Sequence, residues 1–235
     1  VYYQYAGTND GIFISNNYGD NWTNFNVGLE KFDRNILSIV PRGVVIYAAG
    51  YGGVFKSETL GSQWTNLAKY ENGFTFPSAT ALEVNDPYIY GATQTAGVFQ
   101  SSNGGASWIQ IKNGFPQIQL PQIKKLYRPT VGNPPAIYAA TNTGVYVCPN
   151  NGTIWYNASQ GIPSTTEIYS ITNLGNVMLA GTLNGVYRSS NMGAGWTKVP
   201  GMLSNAFYSF AVYGQNIFAG TSLGIYVSTD SGLTW

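Results

Sequence analysis

Six tryptophans, at positions 22, 64, 108, 155, 196 and 235, each follow a glycine by eleven residues. The pairs are Gly11/Trp22, Gly53/Trp64, Gly97/Trp108, Gly144/Trp155, Gly185/Trp196 and Gly224/Trp235. Each segment opens on an alternating apolar run: GIFIS, GVFKS, GVFQS, GVYVC, GVYRS and GIYVS. A second glycine (Gly19, Gly61, Gly105, Gly152, Gly193, Gly232) then stands three residues before Trp. Alternation of period two that runs into a glycine predicts a strand, a tight turn with positive φ at the glycine, and a second strand beginning at Trp. Successive tryptophans lie 39 to 47 residues apart, and all of that variation falls outside the Gly–Trp segment. The motif is rigid and its connections are elastic.

Upstream of each first glycine lies another strand-like run: YAGT, IYAAG, IYGAT, IYAAT, MLAGT and IFAGT. From Ile36 onward each unit also gains a leading strand, ILSIV, ATALEV, IKKLY, IYSIT or FYSFAVY. Four short antiparallel strands, A to D, repeating at this interval predict an all-β fold, a β-propeller with one blade per unit. Residues 1–235 read as a single propeller domain, in which the first blade lacks strand A and the last lacks most of strand D. Two readings of the ends stand: six blades closing edge to edge, or a seventh blade or missing terminal strands outside the sequence. Unpaired edge strands at both ends favour self-association. The segment LEKFDRNI (29–36) predicts at most one helical turn, and each Trp is expected to cover the outer end of a blade interface.

Charged residues make up 9% of the chain and the net charge is +1, against about 25% charged in an average soluble domain. Lys124-Lys125 is the longest basic run, so no electrostatic footprint for nucleic acid or an anionic membrane is expected. No apolar run reaches the roughly 18 residues of a membrane span, so no membrane insertion is expected. With no histidine and one cysteine, Cys148, neither a Ser–His nucleophile nor a zinc or copper site is expected, and no cofactor is implied. Low charge and 15% aromatics suit a secreted or cell-surface β protein.

The last segment, STDSGLTW, resembles the Asp-box (BNR) repeat S-x-D-x-G-x-T-W at Ser228, Asp230, Gly232, Thr234 and Trp235. Elsewhere the Asp position holds Asn17, Thr59, Asn103, Asn150 and Asn191, and Cys148 stands at the Ser position. Propellers of this type occur in sialidases, sortilin-type receptors, xyloglucan hydrolases and photosystem II assembly factors. The resemblance implies that Trp22, Trp64, Trp108, Trp155, Trp196, Trp235 and Asp230 are structural. It also implies that ligand sites lie on the opposite face, formed by the D–A and B–C loops.

On that face the ligand-binding candidates are Tyr51, Tyr70, Phe74, Phe115, Gln94, Asn142 and Asn184, aromatic and amide groups suited to a glycan or a protein. The expected function is non-catalytic recognition or a structural role. The alternative is a glycoside hydrolase, which needs two carboxyl groups about 5–5.5 or 6.5–9.5 Å apart; Asp10 and Asp33 are the pair in the right loops. A sialidase needs three arginines to clamp its substrate, and only Arg34 falls in a suitable loop.

Overall fold

A computed structural model describes residues 3–67, 78–129, 131, 135–201 and 205–235. The chain forms two compact units, Val1–Gln110 and Ile111–Trp235, each holding three consecutive blades. In the first unit, blade one is β1 (Gln4–Thr8), β2 (Gly11–Ser15) and β3 (Thr23–Asn24). Blade two is β4 (Ile36–Arg42), β5 (Val45–Gly50), β6 (Gly53–Ser57) and β7 (Thr65–Asn66). Blade three is β8 (Ala79–Asn85), β9 (Tyr88–Thr93), β10 (Val98–Ser101) and β11 (Ile109–Gln110). In the second unit, blade four is β12 (Ile123–Tyr127), β13 (Ala136–Thr141), β14 (Gly144–Pro149) and β15 (Tyr156–Asn157). Blade five is β16 (Ser170–Leu174), β17 (Val177–Thr182), β18 (Gly185–Ser189) and β19 (Thr197–Lys198), and blade six is β20 (Phe207–Tyr213), β21 (Asn216–Thr221) and β22 (Gly224–Ser228). All pairings within these sheets are antiparallel between sequence neighbours, and among the described residues the first and last sheets have three strands, corresponding to B to D and A to C respectively. The fold is an all-β propeller of six blades. Its D strands are two residues long and start one residue after Trp, and the segment 29–36 holds one 3-10 turn, Lys31–Arg34.

The cores form where strands A to C of one blade pack on the next. Ile12, Ile14, Ile36, Ile46, Phe55 and Trp64 make one cluster; Tyr47, Val54, Leu82, Ile89 and Phe99 make another. Burying each such side chain contributes about 1.5–3 kcal/mol. Arg42 ties blades two and three by donating to Glu83 Oε1 at 2.6 Å and Val84 O at 2.7 Å.

The tryptophans link successive motifs through their indole N–H groups. Trp64 donates to Phe25 O, Trp108 to Leu67 O, Trp155 to Ile111 O and Trp196 to Ala158 O. In every case the acceptor lies three residues after the preceding Trp, so the aromatic end of one hairpin reads the register of the strand D before it. Trp64, Trp155 and Trp196 are 1–5% exposed, whereas Trp22 is 43% exposed.

Inside the hairpins one hydroxyl organises the turn. The Ser15, Ser57, Ser101, Ser189 and Ser228 Oγ atoms each accept the N–H of the second glycine, at 2.8–2.9 Å. Asn17, Asn103, Asn191 and Asp230 accept backbone N–H groups further round the turn. The residue before the glycine is also left-handed: Tyr18, Leu60, Met192 and Ser231 have φ of 54–60°. Blade four departs from the expected glycine geometry. There Asn150 and Asn151 take the positive φ and Gly152 does not. Cys148 Sγ, which cannot replace the Ser oxygen as a strong acceptor, donates instead to Gly152 O at 3.1 Å. Burial pushes that thiol up to about 11.

Hydrogen bonds from the Thr234 hydroxyl, the Thr234 N–H and the Ser228 hydroxyl hold the Asp230 carboxyl at about 2, below its ordinary 3.8. A depressed folded-state value means that the contribution of this carboxylate is complete above pH 3.8 and is lost as pH falls through 2. The Leu233 and Thr234 amide resonances are therefore expected to titrate with a midpoint near 2; a midpoint near 3.8 would show that the hydrogen bonds to Asp230 are not made in solution.

Candidate functional site

Strand A carries an extra residue near its start. The pairing register shifts between Ile36 and Ser38, Ala79 and Ala81, Ile123 and Lys125, and Phe207 and Ser209. Leu37, Thr80, Lys124 and Tyr208 are thus β-bulge residues, left out of the ladder and re-aimed by the local kink. Tyr169 occupies the matching place in blade five, donating its N–H to Gly181 O, the residue that Ser170 faces. All five positions lie where the D–A connection enters strand A.

In the second unit three of these side chains meet. Lys124 Nζ sits 5.5 Å above the Tyr169 ring, and the Tyr169 and Tyr208 rings stand edge to face with centroids 5.9 Å apart. The Tyr169 hydroxyl donates to Glu167 Oε2 at 2.6 Å, and Lys124 Nζ lies 3.9 Å from the same carboxylate. The hydrogen bond to Glu167, with some desolvation, raises the Tyr169 phenol to about 12, so it remains a donor at neutral pH. Tyr208 is 50% exposed, which leaves its ring open to a ligand. Two perpendicular rings flanked by one ammonium and one carboxylate can stack against a flat apolar face and hydrogen-bond its rim. The cluster contains a single carboxylate, which does not meet the need of glycoside hydrolysis for two.

The residues singled out in the sequence do not belong to this cluster. Asn142 fixes its approach: Asn142 Oδ1 accepts Gln122 N–H at 2.8 Å and Asn142 N–H donates to Gln122 O at 3.2 Å, anchoring the chain two residues before Lys124. Phe115 is 3% exposed, stacked on Trp155 at 5.0 Å and edge-on to Tyr146 at 4.9 Å, so its ring plugs the loop onto the blade. Tyr51 is 61% exposed, and Gln94 and Asn184 are exposed at their B–C tips. Tyr70 and Phe74 lie outside the described residues.

Asp10 and Asp33 have different surroundings. The Asp33 side chain is buried in the 3-10 turn, accepts Glu30 N–H at 3.2 Å and lies so close to Gly52 that a Cβ there would overlap its Oδ1. Asp10 is 74% exposed and 3.9 Å from Arg34 Nη1. Among the described residues no three His, Cys, Asp or Glu side chains are grouped as metal ligands, and no helix is long and apolar enough to cross a membrane.

Lys124, Glu167, Tyr169 and Tyr208 were not among the sequence candidates. For Lys124, Tyr169 and Tyr208 a signal was present in the aligned leading strands ILS, ATA, IKK, IYS and FYS, where a varying second position follows an apolar one; for Glu167 there was none.

No family model and no curated protein matches this chain. Solved structures match it by fold. The extracellular domain of BT4673 from B. thetaiotaomicron aligns with a TM-score of 0.78 at 18% identity, over 96% of this chain and 31% of that one. YCF48 bound to D1 peptide aligns with a TM-score of 0.73 at 14% identity, over 99% and 76% of the two chains. The GH74 xyloglucanase from Xanthomonas campestris aligns with a TM-score of 0.61 at 14% identity, over 98% and 50%. The chain thus spans 31% of the first of these relatives and half of the last. Identities this low establish a shared architecture, and on that ground the chain is a six-bladed β-propeller resembling modules of both binding proteins and hydrolases.

Proposed function

We propose that the chain is a non-catalytic recognition module of the Asp-box type, part of a secreted or cell-surface protein, which holds a glycan across the leading ends of the A strands in blades four to six. The observation that carries this reading is the meeting of the bulge residues Lys124 and Tyr208 with Tyr169, at the matching place in blade five, at one solvent-facing spot. Bulge side chains do not serve the ladder, so Lys124 and Tyr208 can make contacts outside it. The serine-centred hairpins support the Asp-box assignment, and the fold likeness to an extracellular domain supports the location. The burial of Asp33 against Gly52 argues against its use as one of two hydrolytic carboxyls.

A glycan array read with the purified chain tests the proposal. Tyr208→Ala and Tyr169→Ala are each expected to weaken binding about tenfold or more, the effect of removing a central aromatic contact, while Tyr169→Phe keeps the ring and most of the affinity. The paired Asp10→Asn/Asp33→Asn variant should bind as the parent does. Glycan turnover abolished by that pair would establish the hydrolase instead, and an array with no binding would remove the glycan.

A further inference from the structure

Two cavities occupy the same place in the repeat, beside the turn between strands C and D. One, of about 390 Å³, is in blade two, and its lining includes Lys56, Glu58, Gln63, Thr65 and Leu67. The other, of about 290 Å³, is in blade five, and its lining includes Arg188, Ser190, Gly195, Thr197 and Val199 at the corresponding places. The register explains the match. Lys56 faces Thr65 and Arg188 faces Thr197 across the short strand D, and residues two further along a strand return to the same side. Each groove therefore starts from one cation, one threonine hydroxyl and one aliphatic wall.

Their electrostatics differ. In blade two the cation is spent, because Lys56 Nζ lies 2.6 Å from Glu58 Oε1. In blade five Ser190 stands at the Glu58 place, and Lys198, where blade two has Asn66, adds a second basic residue to the lining. Among the described residues no carboxylate lines this cavity, and neither Arg188 nor Lys198 is in an ion pair. Arg188 Nε donates to Ser231 O at 2.9 Å, which fixes the guanidinium, and its Nη groups make no hydrogen bond to the described residues. Asp230, the acid beside Ser231, has its carboxylate engaged by Ser228, Leu233 and Thr234. Leu233 adds an apolar wall from the turn of blade six. Its place in the turn is exposed in every blade, at Asp20, Ser62, Ala106, Thr153 and Ala194 as at Leu233.

A planar guanidinium pinned at Nε and open at its other two nitrogens matches the two oxygens of a carboxylate. We propose that the blade-five cavity is a second binding site, separate from the aromatic cluster, which takes a carboxylate on a compact carbon frame. The carboxylate pairs with Arg188, the Ser190 and Thr197 hydroxyls bond its polar substituents, and Val199 and Leu233 pack on its carbon skeleton. A volume of about 290 Å³ is at the lower end for small-molecule pockets and suits one sugar-sized unit. An acidic sugar and an aliphatic acid share this chemistry. Within blade five the site is at the C–D turn, whereas Tyr169 stands where strand A begins, at the other end of the blade.

Glucuronate, cyclohexanecarboxylate, cyclohexanecarboxamide and sulfate, titrated into the purified chain, test the site through the Arg188 Nε–H and Thr197 amide resonances. Both carboxylates are expected to shift these saturably below about 50 mM, beyond the millimolar dissociation constants of ligands this small. The uncharged amide, and sulfate with no carbon frame, are expected to bind about tenfold more weakly or not at all. Whichever carboxylate binds more tightly names the source, acidic sugar or apolar acid. Ser190→Glu copies the pairing of blade two, where a glutamate is already accommodated, so the chain is expected to stay folded and to lose carboxylate affinity about tenfold or more. Arg188→Lys keeps the charge without the fork and is expected to lose about threefold or more. No saturable shift with either carboxylate, or binding in Ser190→Glu within about twofold of the parent, would overturn the proposal. Sulfate binding as tight as the carboxylates would overturn it in favour of general attraction of anions.

Discussion

Trp155→Ala is expected to lower the stability of the second unit by about 3–5 kcal/mol, the cost of emptying a large buried aromatic site. Trp155 is 1% exposed, its ring carries the stacked Phe115, and its indole N–H occupies Ile111 O at 3.0 Å. Trp155→Phe restores much of the volume but leaves that carbonyl unpaired, so a residual loss of about 1–3 kcal/mol is expected. The comparison is Trp22→Ala, at a site 43% exposed, where less area returns to water. Urea denaturation followed by tyrosine and tryptophan fluorescence measures all three. Equal losses at positions 22 and 155 would contradict the role of the indole as an interface closure.

Gly161→Ala is expected to be nearly as damaging although it adds one methyl group. Gly161 has a φ of 92°, and a Cβ there would stand 2.1 Å from the Trp196 carbonyl oxygen. Gly114 makes the same approach to the Trp155 carbonyl in the blade before. Left-handed strain costs about 1–3 kcal/mol, and a contact with backbone cannot be relieved by rotating a side chain. Replacement at Gly175, which has positive φ but nothing within 4 Å, carries only the conformational part. A thermal shift for Gly161→Ala no larger than for Gly175→Ala would refute the steric argument.

The repeat was legible because it is written in covalent spacing: a hairpin of fixed length must place glycine and tryptophan at fixed separation whatever the rest of the chain does. The turn of blade four was not legible, since Gly152 stands in the glycine position yet Asn150 and Asn151 take the left-handed conformation. There the exchange of Ser for Cys148 removes the hydroxyl that accepts the glycine N–H in the other blades. The candidate site was harder still. A bulge depends on how two strands register against each other, and the leading strands of this chain alternate well enough to read as regular. Lys124 therefore looked like part of a basic pair, and Tyr169 and Tyr208 like ordinary strand residues. Phe115, after its Asn-Gly pair, reads from sequence either as a ligand-facing loop aromatic or as a plug on the blade top, and only the Trp155 ring stacked on it decides for the plug.

The bulge at the start of strand A separates what the blade must conserve from what it can vary. A residue that has no partner in the ladder can be exchanged without moving the strand, and Leu37, Thr80, Lys124 and Tyr208 already span apolar, hydroxyl, cationic and aromatic chemistry at that one place. Each of these four blades thus offers an independently editable letter on a fixed frame. Specificity in such a protein can drift by single substitutions at these positions, with the scaffold left blind to the change.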